Sequence, residues 1–160
     1  MRKIMCSALA LVMLLSVTAC GKEDSNDNKK ASAPLKEITT EVIEKSDIKF
    51  PEMVEVSEDN FQFRYGIEAD DYTEYSVYWA GSGGDADEVC IIKAASGKLD
   101  DVKNSVKSRL DSQKEVFKDY VPEEYDQLCE SEIKTKSGYV YWVCSDDNKK
   151  AEEKILSYFE

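Results

Sequence analysis

The sequence predicts a single α+β domain in which an antiparallel sheet of about four strands carries helices packed on one face. Two observations lead to this prediction. Strand-like segments occur as two consecutive pairs, and each pair is joined by a short stretch of turn-forming residues. Segments with apolar residues at steps of three and four precede, separate and follow these pairs. Consecutive strands joined by short turns pair antiparallel, which leaves the helices to cover the sheet.

Five segments have helical spacing. Pro34 has the fixed φ that suits a first turn, and Leu35, Ile38 and Val42 follow it on one side of a helix. The longest segment repeats apolar residues over about six turns and carries lysines and acids on its other sides. The predicted helices cover residues 34–45, 57–65, 99–120, 122–129 and a last segment capped by Asp146 or Asp147, which carries Ala151, Ile155, Tyr158 and Phe159.

The strands are predicted from alternation and from apolar runs. Residues 74–80 alternate large apolar residues with smaller or more polar ones, as in a half-buried strand. Residues 88–95 form a continuous apolar run, which is typical of a central strand buried on both faces. A glycine-rich loop at 81–87 joins these two strands. The second pair has its turn near Ser137 and Gly138, and its second strand is Tyr139–Cys144.

The N-terminus has the features of an export signal. Arg2 and Lys3 precede an apolar run that is too short to span a bilayer, and residues 16–19 are small or β-branched. The end of this run, Val17-Thr18-Ala19-Cys20, resembles the bacterial lipoprotein signal motif. That resemblance implies a diacylglyceryl group on the Cys20 thiol and cleavage just before Cys20. The two acyl chains of this group would give stable attachment, because a single chain binds a bilayer only marginally. An ordinary signal peptide cut after Ala19 is the alternative.

These features divide the chain into three parts. Residues 1–19 are the signal peptide, residues 20–33 are the lipidated Cys20 with a polar tether, and residues 34–160 are the domain. The tether contains no large apolar residue, so we expect it to be disordered and to span about 20 Å. The predicted location is the cell membrane, with the lipid-anchored domain on its extracytoplasmic side.

Charge excludes some partners. Loss of Arg2 and Lys3 with the leader lowers the basic residues from 21 to 19 against 33 acidic ones, so the net charge changes from −12 to −14. Such a surface repels nucleic acid and anionic head groups, and we therefore expect neither nucleic acid nor a lipid surface to bind the domain itself.

Residue types also limit the chemistry. The chain has no histidine, which is the commonest general base and metal ligand. Asp85, Asp87 and Glu88 share a loop but lack the alternating pattern of a calcium site, so we expect neither metal nor cofactor. Cys90, Cys129 and Cys144 remain once Cys20 is assigned, and we expect three buried thiols, with a disulfide across neighbouring strands as the alternative.

Aromatic residues supply the candidate ligand-binding positions. The predicted strands place rings on both sheet faces, and a face left open by the helices would present a surface suited to a sugar or peptide. The alternative is that most of these rings belong to the core. The candidate positions are Tyr75, Trp79, Tyr139, Tyr141 and Trp142.

Several longer phrases resemble a known family. They are the lipoprotein-like start, Tyr-Gly-Ile-Glu-Ala-Asp-Asp at 65–71, the run at 86–94, the helix end at 117–125 and the strand at 138–147. Together they resemble the domain of unknown function 4358 family of small bacterial lipoproteins, over roughly residues 34–160. The resemblance implies an anchored location and supplies no reaction or functional residues.

We therefore expect a non-enzymatic binding or accessory protein at the cell envelope, with a protein or cell-wall component as its ligand. A small hydrolase that uses two carboxylates is the main alternative, and a purely structural envelope role is the third. A deep cleft holding two acids would favour the hydrolase.

Overall fold

The computed structural model describes residues 30–159, which form one sheet with helices around it. The helices are α1 (Leu35–Lys45), α2 (Glu58–Tyr65), α3 (Leu99–Phe117), α4 (Pro122–Glu130) and α5 (Asn148–Leu156). The strands are β1 (Met53–Glu55), β2 (Tyr72–Ala80), β3 (Glu88–Ala94), β4 (Lys134–Lys136) and β5 (Tyr139–Cys144).

The sheet is antiparallel throughout, with the strand order β1-β2-β3-β5-β4. The predicted α+β class and antiparallel sheet are confirmed, although the sheet has five strands in the described region and not about four. The additional strand is β1, whose three residues are too few to produce a recognisable alternation. At the centre, Cys90 of β3 lies opposite Val77 of β2 and Trp142 of β5.

One face of the sheet, here called the α3 face, is covered by α2, α3 and α4. Every second residue of β3 points to this face, and Cys90 and Ile92 pack there among side chains that are fully buried. The helices contribute Phe61, Tyr65, Val102, Val106, Leu110, Phe117 and Leu128 to the same core.

The opposite face, here called the α1 face, is covered by α1 and α5. Val89 and Ile91 of β3 pack there against Ile38 of α1 and Ile155 of α5. The prediction that helices pack on one face is therefore wrong in this detail, since they cover both. The physical reason is the apolar run of β3, which needs a dry cover on each side of the sheet.

Short sequence signals determine several of the element ends. Gly66 ends α2 with φ 60°, a left-handed conformation that favours glycine. Ser137 and Gly138 have φ 52° and 77°, as a tight turn between β4 and β5 requires. Asp147 caps α5 by accepting a hydrogen bond from the backbone N–H of Lys150 at 3.0 Å.

The domain begins slightly before its predicted start. The backbone N–H of Ala31 donates to the hydroxyl of Tyr139, and that of Ser32 donates to the carbonyl of Tyr158. Ala31 and Ala33 also pack against the core of the α1 face, so residues 31–33 belong to the domain and not to a tether. The chain therefore enters the domain at the end of the sheet where β5 begins.

The predicted signal peptide, Cys20 and the tether up to residue 29 lie outside the described residues. Within residues 30–159, none of the helices combines the length and apolar character needed to cross a membrane.

Candidate functional site

The structure divides the predicted aromatic residues between the two faces. Tyr139 and Tyr141 are buried on the α1 face, and Trp142 is buried on the α3 face. Tyr75 and Trp79 are half-buried at the edge of the α3 face, where Phe61 stacks on Tyr75 at 4.2 Å between ring centroids. The five residues therefore form no continuous surface, because helices cover both faces. Their role in ligand binding stays a prediction.

A buried ion pair lies where β3 begins. Glu88 is completely buried on the α3 face, and its Oε2 lies 2.6 Å from Nη2 of Arg109 on α3. The hydroxyl of Tyr65 on α2 donates to Oε1 of the same carboxylate. Burial raises the pKa of Tyr65 well above its usual value, so this hydroxyl remains a donor. Glu88 therefore connects the sheet to both helices.

The guanidinium of Arg109 is enclosed on its remaining sides. Its carbon lies 5.3 Å from the ring centroid of Trp79 and 5.9 Å from that of Tyr65, and its Nη1 donates to Gln113 at 3.1 Å. With Glu88 accepting from Nε and Nη2, the charge is fully accommodated within the protein. This cluster is therefore a structural element that leaves no free group for a ligand.

The cysteine prediction is partly wrong. Cys90 and Cys144 are buried, whereas Cys129 is exposed on α4, and all three are free thiols. Cys90 and Cys144 lie on adjacent strands of the α3 face but in diagonal positions, since Cys90 pairs with Trp142. Burial raises the pKa of the Cys144 thiol to about 12 and that of Cys90 further, so neither is a nucleophile at neutral pH.

Asp87, the residue before Glu88, is also buried but lacks a cationic partner among the described residues. Asp87 is only 6% exposed, and among the described residues its carboxylate receives a hydrogen bond from its own backbone amide alone. Burial, followed by the charges of Glu124, Asp146 and Asp85, raises the pKa of Asp87 to about 7. Glu88 is paired with the cation of Arg109, whereas Asp87 has no cationic partner among the described residues.

Asp85, Asp87, Glu124 and Asp146 are here called the acid cluster. The Oε2 of Glu124 accepts the backbone N–H of Ala86 at 2.7 Å, which holds α4 against the loop before β3. Glu88 pairs with Cys144, so the segment after β5 carries Asp146 beside the same loop. None of these four carboxylates takes part in an ion pair between described residues.

An open cleft of about 320 Å³ adjoins the acid cluster at Asp146. Lys134 occupies part of it and forms ion pairs with Glu132 and Glu152. Among residues 30–159, no group of three potential ligands is arranged to hold a metal ion. The cleft is lined by Glu130, Glu132, Lys134, Asp146, Asp147, Asn148, Lys149 and Glu152.

The sequence indicated only part of this site. Asp85, Asp87 and Glu88 were recognisable as acids in one loop, but Glu88 points to the α3 face and pairs with Arg109, 21 positions away. Glu124 and Asp146 come from separate segments, and no local spacing links them to the loop. A possible signal was Glu88 itself, because a charged residue within a central strand requires a partner.

Comparison with known proteins gives one result. A family model described as domain of unknown function (DUF4358) matches residues 46–145, which confirms the predicted family. No match was found among curated proteins or solved structures.

The ion pair predicts a large effect of Arg109→Met. The substitution keeps an aliphatic stem but leaves Glu88 buried without a cation, so the free energy of unfolding should fall by about 3–5 kcal/mol. Urea denaturation measures this change. The control is Arg64→Met, which removes an exposed arginine and should cost less than about 0.5 kcal/mol. Equal effects of the two substitutions would contradict the structural role of Arg109.

Asp87 predicts an unusual dependence of stability on pH. Its pKa in the folded protein, about 7, lies above the value of about 4 in an unfolded chain, so the folded state binds the proton more tightly. This contribution to stability is complete below about pH 4 and is lost as pH rises to 7. Asp87→Asn should therefore stabilise the protein at pH 8, by up to about 4 kcal/mol.

Urea denaturation at pH 5 and pH 8 tests this prediction. The wild-type protein should lose more stability between these pH values than Asp87→Asn does. Asp119→Asn, which removes an exposed carboxylate, should behave as the wild type. The assignment of Asp87 fails if Asp87→Asn leaves the pH dependence unchanged.

Proposed function

We propose that this protein, which belongs to the DUF4358 family, is a lipoprotein tethered to the extracytoplasmic side of the cell membrane. Its role is non-enzymatic binding, or an accessory function, at the cell envelope. The anchor is supported by the sequence Val17-Thr18-Ala19-Cys20 after a short apolar run, and by the polar residues that follow it. The bilayer is then one partner, through Cys20, and a protein or cell-wall component is the other.

The observation that carries the binding role is the position of the acid cluster. The chain enters the domain beside Tyr139 at the start of β5, whereas Glu88 pairs with Cys144 at the other end of that strand. Tyr139 and Cys144 are five steps apart along an extended strand, which separates these ends by about 17 Å. An anchored domain would therefore hold its unpaired carboxylates away from the attachment point, where an envelope ligand can reach them.

The hydrolase remains a second candidate because of one observation. The pKa of Asp87, about 7, lies in the range suited to a general acid, and a cleft adjoins the cluster. A hydrolase needs a second free carboxylate beside this acid. In the cleft, Glu132 and Glu152 are paired with Lys134, and Asp147 caps α5, so these three acids are already engaged and the binding role is favoured.

Fatty-acid labelling of cells tests the anchor. We expect the wild-type protein to incorporate an alkyne-tagged palmitate and to fractionate with membranes, because Cys20 carries the acyl chains. Cys20→Ser should lose the label, while Cys129→Ser, which alters an exposed cysteine of the domain, should keep it. Equal labelling of Cys20→Ser and the wild type would exclude this anchor.

Sedimentation with isolated cell envelopes separates binding from hydrolysis. The Cys20→Ser chain is used, since any binding then does not depend on acyl chains. We expect it to sediment with the envelopes and to release no soluble fragments, as measured by mass spectrometry of the supernatant. Release of fragments would support the hydrolase, and absence of both results would contradict a binding role.

A further inference from the structure

Asp87 is the starting point, because it is nine-tenths buried and has no cationic partner among the described residues. Removing a carboxylate from water costs several kcal/mol unless a cation or several hydrogen bonds replace the lost hydration. Its neighbour Glu88 meets this requirement within the protein, through Arg109 and Tyr65. Among the described residues Asp87 meets it only through its own backbone amide, so the protein stabilises its charged form poorly.

The surroundings of Asp87 favour a positively charged group. Carboxylates approach it from three separate elements: Asp85 from its own loop, Glu124 from α4 and Asp146 from the segment after β5. Glu124 and Asp85 are half-buried and Asp146 is exposed, so the acid cluster is open to solvent on one side. A cation that enters from that side would relieve the mutual repulsion of four acids and the desolvation of Asp87 together.

The kind of cation follows from the geometry. A metal ion is not favoured, because no three potential ligands in residues 30–159 are arranged to hold one. An ammonium or guanidinium group needs no such coordination. The protein itself contains carboxylates paired with an ammonium group and a carboxylate paired with a guanidinium group. Lys134 lies between Glu132 and Glu152 in the adjoining cleft, and Arg109 pairs with Glu88 on the α3 face.

We propose that the acid cluster binds the charged end of a lysine or arginine side chain from a partner peptide. This inference rests on the proposed function, since it names the partner chemistry of the same site. Asp87 supplies the buried contact, and the three other carboxylates supply attraction from three sides. A buried contact is screened less by salt than surface pairs are, so binding should persist at physiological ionic strength.

Binding should also displace a proton. At neutral pH a large fraction of Asp87 is protonated, and the titratable groups around it are Asp85, Glu124, Asp146 and the thiol of Cys144. A bound cation favours the ionised carboxylate, so the proton passes to the buffer. Attraction to the acidic surface elsewhere on the domain would release no such proton, which distinguishes binding at Asp87 from binding at other carboxylates.

Isothermal titration calorimetry with N-acetyl-triarginine amide tests the proposal, using the full chain in detergent at pH 7 and 0.15 M salt. We expect saturable binding by the wild-type protein and none of the neutral analogue N-acetyl-tricitrulline amide. Asp87→Asn should weaken binding at least tenfold. Asp100→Asn is the matched control, because it removes the same charge in the first turn of α3, at the opposite end of the sheet. It should change the affinity less than twofold.

The outcomes are distinct. Heats measured in two buffers of different ionisation enthalpy should show proton release by the wild type and none by Asp87→Asn. Because Asp87→Asn is expected to be more stable than the wild type, unfolding would not explain its loss of binding. Equal affinities of Asp87→Asn and Asp100→Asn would overturn the proposal, as would binding of Ca²⁺ in place of the peptide. Neither result would alter the labelling of Cys20, which tests the anchor separately.

Discussion

The central strand β3 is buried on both faces from Glu88 to Ile92, so each side chain in this stretch needs a partner inside the protein. Its apolar residues are divided by the alternation of the strand, with Cys90 and Ile92 on the α3 face and Val89 and Ile91 on the α1 face. Two helical layers follow from this division. The one acidic residue of the strand, Glu88, requires a buried cation, and the pairing with Arg109 determines where α3 crosses the sheet.

The acid cluster lies at the N-terminal end of β3, where the buried part of the strand begins. At Glu88 the chain is enclosed by α2 and α3. One residue earlier, at Asp87, the carboxylate is still buried, but no described residue supplies it with a cation. A sequence selected only for stability would have a neutral residue at position 87, because the ionised carboxylate of Asp87 lowers the free energy of unfolding at neutral pH. Retaining an unpaired buried acid is typical of sites where stability is given up for binding or catalysis.

Much of the fold could be predicted from the sequence, and particular residues show why the rest could not. Helical spacing and signals such as Gly66 and the Ser137-Gly138 turn lie within a few residues of the structure they determine. The strand β1 could not be predicted, because its three residues are too few to show an alternation. The second helical layer follows from the apolar run of β3, because a strand that is apolar on both faces requires cover on each of them. The acid cluster could not be predicted, because its carboxylates come from three segments that only the folded sheet brings together.

The position of the acid cluster and the negative charge of the protein both favour a cationic ligand. With 33 acidic residues, long-range attraction would bring any cation towards the domain, but such attraction alone distinguishes few partners. Specificity requires a desolvated contact, and Asp87 is the acid in the cluster that is buried. The cluster lies about 17 Å along β5 from the point where the chain enters the domain. In an anchored protein, the surface charge would attract a basic peptide, and the proposed contact with Asp87 would form at the end of β5 opposite to the one where the chain enters the domain.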